Sequence, residues 1–228
     1  MDKAHLLNTI SKARFEKYLN ASNYDLDLAL VIYKKNIAIS KEFYTIIGLF
    51  EVALRNTIDS YFSFLHGSEW LVTAIKPGGY LSISNNCEHS RNTVLTALNQ
   101  LGSGYTKENL LTKLSFGFWT YQFASKEFRA SGSTLLNIFP DKPFRTNQKI
   151  IFKNLIRINL LRNRIAHYEP ICFEKLSGRL SVQMIRSKYD MVVDMLSWMG
   201  YELDSLFEGK LTLLNDINFI QQIAKRNN

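Results

Sequence analysis

The chain has 228 residues, 46% hydrophobic and 13% aromatic, which is enough apolar surface to build a core and too much for a disordered polymer. Its formal net charge of +8 excludes an acidic solvating protein and permits phosphate-rich partners. The two cysteines, Cys87 and Cys172, exclude a disulfide scaffold, and no Cys/His ligand spacing accompanies them.

In chain order, residues 5–19 predict a short amphipathic helix. Asn23 or Asp25 can cap a second helix running to about Ala38, and Ser40 a third reaching Leu65. In that third helix Phe43, Ile47, Phe50, Leu54, Ile58, Tyr61 and Leu65 recur every three or four residues, the period of a buried helical face. Glu51, Arg55 and Asp59 share one side of it at i,i+4 spacing, as in a local salt-bridge ladder. His66-Gly67 ends the helix, and 75–86, with Pro77, Gly78 and Gly79, predicts a loop. A helix from about Asn86 to Leu101 follows. Thr106 can cap another from 107 to 125, and 130–143 reads as a loop with Gly132, Pro140 and Pro143.

A helix from Phe144 to His167 comes next, and Pro170 predicts its end near Tyr168, because the residue before proline avoids helical angles. Helices near 181–199 and 216–226 close the chain. There is no internal repeat, coiled-coil heptad run or low-complexity tract, so the expectation is one all-α domain over 1–228. No run of about 18 uncharged apolar residues predicts a membrane span. Met1-Asp2-Lys3-Ala4-His5 does not open a secretory leader. With two lone thiols, this leads to the expectation of a cytoplasmic protein.

The segment from Lys142 to His167 holds seven Lys/Arg and no Asp or Glu. At about 100° per residue, Arg145, Lys149, Lys153 and Arg157 form one cationic stripe, with Asn163, Arg164 and His167 on the same side. Phe144, Ile151, Leu155, Ile158 and Ile165 face the other way. A solvated face is the plain reading of such a stripe. Exposed faces normally mix signs, however, and unmixed cations repel until a polyanion relieves them. Arg162 falls among the core-face positions, where a lone charge is costly, so either it has an acidic partner such as Glu51, or that end of the helix faces another chain or a cleft. A histidine ending a helix is most often structural, yet imidazole is also the usual acid–base group near neutrality.

Arg162-Asn163-Arg164-Ile165-Ala166-His167 contains R-x4-H with Asn directly after the Arg, late in a helix. This resembles the signature of HEPN ribonucleases, and RNRIAHYEPI resembles the form found in abortive-infection (Abi-like) proteins. ISKARFEKYL (10–19), ALVIYKKNIAIS (29–40), FEVALRNTI (50–58), EWL (69–71) and LSFGFW (114–119) resemble further elements of that family in order and rough spacing. The resemblance spans about residues 10–171. It implies a HEPN-like helical bundle with flanking helices and a metal-independent endoribonuclease needing no cofactor. It also implies a homodimer in which two motif copies meet. By the resemblance Arg162 would stabilise transition-state charge, His167 would act as general acid or base, and Asn163 would orient His167 or the phosphate. Arg145, Lys149, Lys153, Arg157 and Arg164 would bind RNA, with Glu51 and Arg55 as supporting residues of an E-x-x-L-R element. Phage defence or a toxin–antitoxin setting is implied, with a protein or structured RNA as antitoxin. Two other functions stay open: a non-catalytic RNA-binding domain of the same fold, and a helical interaction or scaffold protein.

Overall fold

Helix α1, Lys12–Ala21, is the first element of the computed structural model, which describes residues 10–83, 87–174, 177–206 and 212–226. The predicted start of the first helix, at residue 5, lies outside the described residues. Asn23 and Tyr24 take positive φ angles of 52° and 64° and reverse the chain. Asp25 then caps α2 through its carboxylate, which accepts from Leu28 N at 3.0 Å.

Helix α2 is continuous from Leu26 to His66, 41 residues in length, where the sequence predicts two helices. Ser40, the expected N-cap between them, sits in mid-helix with its hydroxyl donating to the Asn36 carbonyl four residues back, at 2.8 Å. A serine that bonds back in this way satisfies itself without breaking the ladder, so a capping residue alone does not stop a helix that packs on both sides of it. Gly67, at φ 87°, does stop it, its N–H bonding to the Ser63 carbonyl at 2.9 Å. Phe43, Ile47, Phe50, Leu54 and Ile58 are buried as predicted. Near the end Phe62 is buried instead, while Tyr61 is half-buried and Leu65 exposed.

Helix α3 (Trp70–Ile75) precedes the predicted loop and α4 (Glu88–Leu101) follows it. The predicted helix 107–125 is instead α5 (Lys107–Lys113), capped by Thr106 as expected, and α6 (Phe116–Tyr121). Leu114 and Ser115 are extended between them, and Trp119 donates to the freed Leu114 carbonyl at 3.3 Å. α7 (Ser125–Ala130) and a 3-10 turn (Leu135–Ile138) lead to α8 (Gln148–Ala166). α9 (Gln183–Trp198), α10 (Leu203–Leu206) and α11 (Leu213–Arg226) complete the chain. Among the described residues the one β-type pairing is an isolated antiparallel bridge, Phe173 to Leu180, so the fold is all-α. No helix among them is long and apolar enough to cross a membrane.

The chain divides into two compact units. The first comprises Met1–Ile46, Leu161–Asp190 and Gly209–Asn228. Its core is built on Phe15, Tyr18, Ile32, Phe43, Ile217 and Ile220. Tyr18 lies edge-on to both Tyr33 and Phe173, at 5.3 and 5.2 Å between ring centres. Lys35 pairs with Asp216 at 2.5 Å and lies 5.3 Å from the Phe219 ring centre, pinning α11 to the N-terminal part of α2. The second unit comprises Ile47–Leu160 and Met191–Glu208. Aromatic pairs fill it: Phe62 with Trp70 at 4.7 Å, Phe123 with Phe139 at 5.7 Å, and Phe50 edge-on to Phe116 at 6.0 Å.

Candidate functional site

In the first unit, α8 ends in a turn built almost entirely of the Arg-Asn-Arg-Ile-Ala-His-Tyr-Glu-Pro segment. His167 N–H still bonds to the Asn163 carbonyl at 3.0 Å, one last helical step. Tyr168 N–H then bonds to Ile165 O, and Glu169 N–H to Arg164 O, each at 2.9 Å. This pair of bonds is a Schellman closure, with His167 at the C-cap and Tyr168 in the left-handed position. Tyr168 has φ 55°, a conformation that costs a residue with a Cβ about 1–2 kcal/mol. The helix therefore ends at Ala166, close to the predicted end at Tyr168.

Arg164 holds this turn. Its guanidinium donates to the Pro170 carbonyl at 2.5 Å and to the Glu169 carboxylate at 3.2 Å. Two of its donors are thus spent within the turn, one on a backbone carbonyl and one on a carboxylate, and are withdrawn from the role of a free phosphate contact. The segment beyond is anchored from α2. Asn36, only 4% exposed, accepts with its Oδ1 from the N–H groups of both Ile171 (2.9 Å) and Cys172 (3.2 Å). Burial pushes the Cys172 thiol up to about 12.

The motif side chains present themselves differently. His167 and Asn163 are exposed, while Arg162 is half-buried beside the fully buried Leu161. Five residues apart on a helix, Arg162 and His167 leave the axis about 140° from each other. The structure thus leaves His167 exposed at the C-cap and Arg162 half-buried in the last helical turn.

Beside the turn lies a cleft of about 550 Å³, lined entirely by residues of the first unit. Tyr168 and Glu169 from the turn, Arg14 and Tyr18 from α1, and Tyr33, Asn36, Lys41 and Tyr44 from α2 contribute to its walls. Residue spacing along the chain does not single out Asn36 or the tyrosines. The available signal was Asn36 in line with Ile32, Ile39 and Phe43, a polar residue at an apolar helical position.

In the second unit, Lys149, Lys153 and Arg157 are exposed along α8, opposite the buried Ile151, Leu155 and Ile158. Arg145 and Phe144 do not join that helix. Asn147 caps it through its side chain, which accepts from Ile150 N at 3.2 Å, and residues 143–146 form a turn closed by Thr146 N to Pro143 O. Arg145 is exposed in that turn, and Phe144, predicted for the core face, is fully exposed.

Glu51 and Arg55 are both half-buried on α2. The expected ladder is not completed at Asp59, which binds Lys107 at 2.8 Å and accepts from the Trp70 indole at 2.8 Å. Arg55 donates to Asn56 at 3.3 Å. At Asp59 these long-range partners on α3 and α5 join a local one, the Ser63 hydroxyl, which donates to the same carboxylate at 3.3 Å. Among the described residues, no three His, Cys, Asp or Glu side chains gather as a metal site.

No family model matches the chain, and neither do curated proteins or solved structures.

Proposed function

We propose that the chain is a metal-independent endoribonuclease of the HEPN type, acting in phage defence by abortive infection or as a toxin. The observation that carries this reading is the Arg162-Asn163-x3-His167 segment at a helix end, with an exposed imidazole on a turn clamped by Arg164 and strained at Tyr168. Strained backbone concentrates at sites of function, because it persists only where the surroundings hold it.

In this reading the RNA 2′-hydroxyl attacks the adjacent phosphorus. One His167 takes the hydroxyl proton, a second protonates the leaving 5′-oxygen, and Arg162 stabilises the charge gathering on the phosphorane oxygens. The products are a 2′,3′-cyclic phosphate and a 5′-hydroxyl. A homodimer supplies the second imidazole, and it also supplies a use for an arginine half-buried on the core side of the helix end. Lys149, Lys153 and Arg157 hold the flanking backbone by charge. An antitoxin, protein or structured RNA, would be the natural restraint on such an enzyme in the cytoplasm.

The test is purified protein on end-labelled RNA with EDTA present, followed by end-group analysis. Wild type is expected to leave 2′,3′-cyclic phosphate ends and to spare DNA, and His167→Ala and Arg162→Ala to leave RNA intact. Binding of RNA with no cleavage by wild type would move the assignment to a non-catalytic RNA-binding domain. Neither binding nor cleavage would leave a helical interaction protein.

A further inference from the structure

We infer that the cleft of the first unit is a binding site for a nucleoside monophosphate group. In the ribonuclease reading, on which its place in the reaction rests, this group is the RNA residue flanking the cut bond. The cleft's volume of about 550 Å³ suits a small organic ligand. Its walls carry the three things a nucleotide needs.

The first is aromatic surface. Tyr33 is half-buried, whereas Tyr44 is 47% and Tyr168 81% exposed, a large outlay of ring surface to solvent on one site. Bases stack on such rings without regard to sequence. Second, there is a buried side-chain amide among the lining residues. Asn36 is nine-tenths buried, and its Oδ1 is committed to Ile171 and Cys172 N–H. No hydrogen bond from its Nδ2 is found among the described residues, so the N–H groups of this lining residue remain for acceptors on a base edge. Third, the cleft carries cationic charge. Arg14 and Lys41 are exposed at it, and neither forms an ion pair among the described residues.

The acidic group present, Glu169, has its charge engaged by Arg164 at 3.2 Å. An apolar ligand would leave the Asn36 donors and both cations unspent, and an inorganic anion would leave the tyrosines bare. A base joined to a phosphate uses all of them. Ala166, Tyr168 and Glu169, the chain neighbours of His167, line the cleft, and His167 itself does not.

The experiment is isothermal titration of the full chain with AMP, CMP, GMP, UMP and ribose 5-phosphate, and with a 2′-O-methyl RNA oligonucleotide that cannot be cut. At least one nucleotide should bind. Tyr44→Ala, at an exposed position that tolerates substitution, is expected to weaken it about tenfold while leaving ribose 5-phosphate unchanged. Lys41→Ala should weaken both and flatten the salt dependence. An oligonucleotide that displaces the nucleotide identifies a residue of an RNA chain as the occupant; a nucleotide it cannot displace identifies a free nucleotide. No binding by any probe, or wild-type affinities in both variants, overturns the proposal. Cleavage by wild type against His167→Ala is read separately, so the site and the ribonuclease reading fail independently.

Discussion

Replacing Asn36 with alanine tests how the motif turn is held. The Asn36 side chain is 4% exposed and accepts two backbone N–H groups, from Ile171 and Cys172, across more than 130 residues of sequence. Both of those residues are themselves buried. Alanine removes the acceptor and leaves two buried donors without a partner, each costing about 1–3 kcal/mol. The expected loss is about 2–6 kcal/mol, set against a usual total of about 5–15 kcal/mol. At a urea slope of about 2–3 kcal/mol/M, the midpoint falls by about 0.7–3 M. Asn36→Asp, which keeps an acceptor in place, should lose less. The same variants report locally through Cys172, whose thiol should react faster with a disulfide reagent in Asn36→Ala than in wild type. A stability change under about 0.5 kcal/mol, together with a Cys172 as protected as before, would refute the claim that this amide ties down the chain after His167.

Tyr168→Gly should stabilise the fold by about 1 kcal/mol in denaturant titration, because glycine adopts the positive φ freely and an 81% exposed ring gives up little packing. Lys149→Ala with Lys153→Ala should weaken RNA binding and lower the slope of log affinity against log salt by about 2, with less effect on the single-turnover rate at saturating RNA. Arg164→Ala should cost about 1–3 kcal/mol through its lost charged hydrogen bonds to Pro170 and Glu169, measured by thermal unfolding. Stability should also fall as pH rises from about 9 towards 12. The buried Cys172 keeps its proton up to about 12 while the unfolded thiol loses it near 9, so in that window the unfolded state binds fewer protons. The loss attributable to this thiol is about 1.4 kcal/mol per pH unit, and Cys172→Ala should remove that slope.

Helical class and most element positions were legible in the residues because they depend on local rules. Periodicity marked Phe43 to Ile58 as a buried face, Thr106 announced its cap, and Pro170 set the end of α8 to within two residues. The candidate motif was visible for the same reason: Arg162, Asn163 and His167 are neighbours in sequence. Local rules failed where a side chain had two uses. Ser40 could cap or bond back, and packing on both sides of it carried α2 through to His66. Asn147 capped α8 and left Arg145 and Phe144 outside it. Asp59 could take its cation from Arg55 along the helix, but Lys107 arrived from elsewhere, with Trp70 beside it. The cleft depended on the tertiary structure altogether. Tyr168 and Glu169 meet Arg14, Tyr33, Asn36 and Tyr44 only after folding joins segments more than 100 residues apart. The choice of partners for polar and aromatic groups depends on which chain segments end up close in space, and no spacing along the chain encodes that.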